Sequence, residues 1–284
     1  MQGQLLRKIK MRKFSFRKII FSSFVFLFIC PQIGWAAEGD RFSITPRVWF
    51  TNVNTNMYDN GLSASGHSSE STAQVPLQGA TFSYSPKKFP GIDFLVTGLY
   101  GTTTTNFVDA NEFGNIDWSR LDAEILVRKS IPDTTVKLLA GFRHIKYTTD
   151  QRLTSGGIYS ATGSRLKEFY LSMYFGELGL SGYNNITPNG KHRMFWNTIG
   201  GLGYAKSDRP NVKADAGVSV TGKDSFLWTT DINIGYSYTI NKNFGANARY
   251  RSFITASHIA GEPSDAREGF IVVHGPELGV TYNF

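Results

Sequence analysis

The chain has 284 residues, 41% hydrophobic and 18% charged, with one cysteine and a formal charge of +8. That charge sits at the N-terminus, where Arg7, Lys8, Lys10, Arg12, Lys13, Arg17 and Lys18 stand without an acid, so that the chain beyond residue 36 holds 23 basic against 22 acidic residues. A nucleic-acid partner is thereby excluded, since that reading starts from a basic surface on the folded domain, and the lone Cys30 excludes an internal disulfide.

In chain order, the basic stretch is followed by the almost wholly apolar run Ile19 to Cys30 and then by Gly34-Trp35-Ala36. Charged region, hydrophobic region and small residues at the cleavage positions predict a cleaved signal peptide over 1–36, with Met11 as good a start as Met1, and one domain over 37–284. The 12-residue run is too short for a helix across about 30 Å of hydrocarbon, and no other stretch comes closer, so no transmembrane helix is expected. Leu27-Phe28-Ile29-Cys30 fits a lipoprotein site poorly, because the residue before the cysteine is normally small and Pro31 follows it. Cleavage leaves no cysteine, hence no thiolate chemistry, although the compartment beyond the inner membrane permits disulfides.

The rest reads as strands. The first spans about Phe42 to Asn52 and carries Arg47. Polar connections recur at Val53 to Gln74, Val108 to Ile116, Asp150 to Gly163, Ser207 to Asp224 and Ile259 to Glu268, alternating with tight ones at Lys87 to Gly91, Pro132 to Thr134, Thr187 to His192 and Asn241 to Asn243. Between them lie period-two segments. Leu121, Ala123, Ile125 and Val127 alternate with Arg120, Asp122, Glu124, Leu126 and Arg128. Phe226, Trp228, Ile232, Ile234, Tyr236, Tyr238 and Ile240 alternate with a polar set into which only Leu227 intrudes. In the last segment Leu278, Val280, Tyr282 and Phe284 share one face and Glu277, Gly279, Thr281 and Asn283 the other.

Alternation alone fits a soluble sandwich, with charges outward, as well as a membrane barrel, with charges inward. The connections separate the two. Five long and four short ones imply ten strands, an even number with tight turns at one end and long loops at the other. About 25 residues for each strand and its connection suffice for a membrane strand of about 9 to 11 residues that extends past the bilayer. The terminal Leu278, Val280, Tyr282 and Phe284 resemble the β-signal of the outer-membrane β-barrel superfamily, which is read by the barrel-assembly machinery as the last strand closes on the first. The resemblance implies an all-β fold, a transmembrane antiparallel up-and-down β-barrel of ten strands, with eight and twelve the neighbouring even counts. It implies a Gram-negative outer membrane, with its lipids, lipopolysaccharide and the assembly machinery as partners.

If apolar faces meet lipid, the inward set is Arg47, Asp93, Arg120, Asp122, Glu124, Arg128, Lys137, Arg143, Asp231, Arg249, Arg251 and Glu277. Ten strands sit close to the size that side chains alone fill, so these charges should pair across the lumen, giving a rigid filled barrel. The sharper alternative is a narrow path for small polar or anionic solutes past Arg47, Lys137, Arg143, Arg249 and Arg251. Tyr84, Tyr100, Tyr236, Tyr250 and Tyr282 are expected at the membrane interfaces.

Catalysis has little support. Of five histidines, His67 falls in the first long loop, His192 in a turn, and His144 and His274 on the apolar face; only His258, near Asp265 and Ser257, is placed at a rim. The strand count is similar to that of the omptin proteases, but their rim Asp-His pair has no counterpart here. No carboxylates and histidines cluster at metal-ligand spacing. Gly200-Gly201-Leu202-Gly203 is not a phosphate loop but a mark of close packing or bending. No catalytic residue, metal or cofactor is therefore assigned, and a barrel-rim hydrolase, with His258 as its test, ranks last among the alternative roles. The first long loop, with Asn54, Asn56, Asp59, His67 and Glu70, keeps adhesion open as a role.

Overall fold

Period-two alternation gives strands because successive side chains leave a strand on opposite sides. The computed structural model describes residues 41–55, 71–109, 112–155, 165–208, 224–258 and 268–284; the segment assigned to a cleaved leader lies outside them. Ten strands follow one another: β1 (Arg41–Thr55), β2 (Ser71–Ser85), β3 (Ile92–Asp109), β4 (Glu112–Ser130), β5 (Val136–Ser155), β6 (Arg165–Asn185), β7 (His192–Asp208), β8 (Asp224–Thr239), β9 (Phe244–His258) and β10 (Glu268–Asn283). Each pairs antiparallel with its neighbours in the chain, and β10 returns to β1, so the sheet is a closed up-and-down barrel with no free edge. Along the seam Ser43 lies opposite Asn283 and Thr55 opposite Ile271, and the Phe284 amide donates to the Phe42 carbonyl at 3.0 Å.

Four tight connections, 86–91, 131–135, 186–191 and 240–243, gather at the end that also holds Arg41 and Phe284; we refer to it as the turn end, and to the other as the loop end. Their chemistry is local. Gly91 and Gly190 adopt φ of 80° and 65°, the left-handed region where a Cβ is costly. The Asn241 side-chain oxygen accepts the Asn243 and Phe244 amides, each at 2.9 Å, standing in for a backbone turn.

At the loop end one expectation is corrected. Val108 to Ile116 is not a long loop: Val108 pairs with Phe113 and Asp109 with Glu112, leaving two residues between β3 and β4. Here the sequence is polar at both alternating positions, as in Thr104, Thr105, Asn106, Asn115 and Asp117. Ladder hydrogen bonds continue there without the apolar alternation that marks a strand in the sequence. For the same reason β1 reaches Thr55 and β5 reaches Ser155, beyond their expected ends.

The outward faces of all ten strands carry exposed large apolar side chains, from Phe50 on β1 to Leu278 and Val280 on β10, with Phe142 on β5 the most exposed at 74%. Among the described residues, charged side chains on these faces stand only toward the ends: Lys129 at the turn end, and Asp117, Lys146 and Lys206 toward the loop end. An uncharged apolar band around a closed barrel is the surface that hydrocarbon requires, since every backbone group in it is already paired. Aromatic pairs border the band, Phe42–Tyr84 and Phe244–Tyr282 near the turn end and Tyr174–Tyr204 toward the loop end, with ring centroids 4.6, 4.9 and 5.3 Å apart.

Candidate functional site: the barrel lumen

All twelve charged residues of the expected inward set lie on strand faces turned into the barrel, and Glu177 of β6 joins them. They form two tiers. Near the turn end Asp93 accepts hydrogen bonds from Lys137 Nζ at 2.7 Å and Ser85 Oγ at 2.6 Å, with an Arg128 nitrogen at 3.2 Å. At mid-height Arg143, its side chain 0% exposed, stands among four carboxylates: Glu124, Asp231 at 2.8 Å, Glu177 at 3.3 Å and Asp122 at 3.7 Å. Four strands, β4, β5, β6 and β8, meet in this one cluster.

The network continues around the wall. Arg251 donates to Asp231 at 2.5 to 3.1 Å, and Arg249 donates to both oxygens of Glu277 at 2.7 and 2.8 Å. Arg47 reaches Glu277 at 3.2 Å, and Arg120 bridges Asp122 at 2.9 Å and the Tyr147 hydroxyl at 2.8 Å. Spread over opposite walls, these pairs tie β1, β4, β5, β6, β8, β9 and β10 together across the lumen, since a buried charge needs a partner.

Toward the loop end the lumen turns apolar, which the alternation did not announce. Trp49, Val53, Leu77, Leu99, Trp118, Ile145, Tyr147, Met173, Phe253 and Val273 point inward and form one buried cluster. Leu227, the single intruder on a polar face, is fully buried here. The Arg120 guanidinium stacks over Trp49, Tyr147 and Phe253 at 5.2 to 5.5 Å, and Arg251 over Trp49 at 4.5 Å, so the ionic and apolar layers join through cation–π contacts. Trp49 donates its ring N–H to the Gly275 carbonyl at 3.1 Å, which fixes this indole in place within the cluster.

The signal for this plug was present but ambiguous. Segments such as Leu171 to Leu180 are apolar on both faces, and a side chain's direction cannot be read from such a run. Glu177, the one carboxylate in that run, is hidden for the same reason.

The histidines serve the outer wall. His144 stacks on Tyr174 with centroids 4.6 Å apart, His192 hydrogen-bonds Tyr236, and His274 Nδ1 lies 2.7 Å from the Tyr250 hydroxyl, all on outward faces. His67, Asn56, Asp59, Glu70 and Asp265 lie outside the described residues, as do the side chains of Ser257 and His258. Among the described residues no three histidines or carboxylates stand where a metal ion could be held. Leu278 and Val280 of the terminal motif face outward, exposed, while the Tyr282 ring lies 4.8 Å from that of Phe284.

No protein-family model matches the chain, and no curated protein does. Solved structures similar to it are outer-membrane barrel proteins. The outer membrane protease OmpT from Escherichia coli matches at 8% identity and a TM-score of 0.46, over 86% of this chain and 97% of that one. The translocator domain of autotransporter NalP from Neisseria meningitidis matches at 13% identity and a TM-score of 0.42, over 94% of each chain. The β domain of the Bordetella autotransporter BrkA matches at 12% identity and a TM-score of 0.39, over 84% of this chain and 98% of that one.

Proposed function

We propose that the protein is an integral barrel of a Gram-negative outer membrane, delivered by a cleaved signal peptide, with a closed lumen and a structural rather than a conducting role. The observation that supports this reading is the pair of layers across the lumen, the cross-barrel ion pairs on Arg143 topped by the buried cluster around Trp49 and Phe253. A conducting pore needs a continuous wet path with sites weak enough to release what enters. Here the basic residues that could line such a path, Arg143 and Arg251 above all, are engaged with carboxylates. On this reading the bilayer's lipids, lipopolysaccharide among them, surround the apolar band, and the assembly machinery handles the terminal strand.

Planar-bilayer recording tests the closure. The wild-type protein, inserted at either polarity, is expected to give no steady unitary current, and a persistent open level would contradict the reading.

A further inference from the structure

Below the Arg143 tier the lumen opens toward the turn end into a cavity of about 310 Å³. Its walls differ in character. Arg47, Arg249 and Arg251 line it from β1 and β9, whereas Leu126, Leu139 and Ile199 line it from β4, β5 and β7 and form an apolar patch with Leu95.

The lining carboxylates Glu124 and Asp231 are taken up by Arg143 and Arg251, and on the remaining wall cations outnumber carboxylates. Glu277 is the one carboxylate shared by Arg249 at 2.7 Å and Arg47 at 3.2 Å, with Arg251, already paired to Asp231, at 3.8 Å. Asp93 is likewise shared by Lys137 and Arg128. The Nε–H groups of Arg47, Arg128 and Arg249 are buried with no hydrogen-bond partner among the described residues. Buried donors on cations in excess of their carboxylates are costly unless an anion completes them. The cavity's volume suits a small organic ligand, and a guanidinium pair suits a carboxylate or phosphate head.

We infer that this cavity binds a small organic anion, its carboxylate or phosphate held by Arg47 and Arg249 and its apolar body resting on Leu126, Leu139 and Ile199. That the pocket is blind rests on the closed-lumen reading; the charge imbalance does not. The ligand enters from the turn end, which faces the periplasm in barrels of this kind.

Isothermal titration of the full chain, extracted into detergent, with benzoate, phenyl phosphate and benzylammonium tests the site. Both anions are expected to bind saturably with one molecule per chain, and benzylammonium to give only the heat of empty micelles. Arg249→Gln leaves Glu277 with Arg47 and Arg251, so the barrel should keep its heat-dependent gel shift while anion affinity falls at least about tenfold, the loss of one charge-assisted hydrogen bond. Arg47→Gln should act alike. No saturable anion binding, equal binding of benzylammonium, or unchanged affinity in both variants would overturn the inference. Bilayer current from the same preparation would refute the closed lumen and leave the binding result to decide the site.

Discussion

Arg143 is buried among four carboxylates, and its removal would leave Asp122, Glu124, Glu177 and Asp231 facing one another, with Arg120 still paired to Asp122 and Arg251 to Asp231. Breaking a buried ion pair from one side costs about 3 to 5 kcal/mol. Arg143→Met is therefore expected to lower the unfolding free energy by about that amount, measured as a lower urea midpoint for the refolded barrel in vesicles. An unchanged midpoint would mean that the cluster is hydrated or protonated instead.

Two glycines make an internal control. A Cβ on inward-facing Gly203 would fall 1.8 Å from the Tyr174 carbonyl oxygen, whereas on outward-facing Gly98 it would meet nothing within 4 Å. Gly203→Ala should weaken the β6–β7 ladder and lower the midpoint, while Gly98→Ala should leave it unchanged or raise it slightly through the unfolded chain. Equal effects would sink this assignment of faces. Residues were legible in the sequence where charge alternated with apolar side chains, as from Arg120 to Arg128. They were not legible where Trp49, Leu99 or Phe253 put an apolar side chain on the inner face as well.

At the scale of elements, the seam is the place where the barrel is made or lost. β10 must find β1 across the whole chain, and the register from Ser43–Asn283 to Thr55–Ile271 fixes it. Deleting Phe284 removes its amide bond to the Phe42 carbonyl and its ring contact with Tyr282. We expect the deletion to reduce the amount of protein assembled in the outer membrane far more than it reduces the stability of barrel refolded in detergent. Equal loss in both would assign the terminal aromatic a packing role alone. Three of the four tight turns are announced chemically, by Gly91, Gly190 and Asn241, and the strand number followed from the count of connections. The β3–β4 hairpin did not, since polar residues on both strand faces read like a loop.

For the molecule as a whole, the arrangement inverts a soluble domain at its surface but keeps an ordinary apolar core at one level of its interior. The apolar outer band argues for lipid, and inside it lie a buried apolar layer, a layer of ion pairs and the cavity beneath them. The charged lining was readable because nothing in a lipid-facing reading could place Arg120, Asp122 and Glu124 anywhere but inside. The cavity on Arg47 and Arg249 was not, because it depends on which charges outnumber their partners after folding. The claim beneath all of this is that the apolar faces point outward. Gel migration before and after boiling, on protein refolded in detergent and shown to be β-rich by circular dichroism, tests it most directly. The account predicts a compact, faster-migrating band that shifts on boiling; a protein that stays soluble without detergent and shows no shift would turn the sheet inside out.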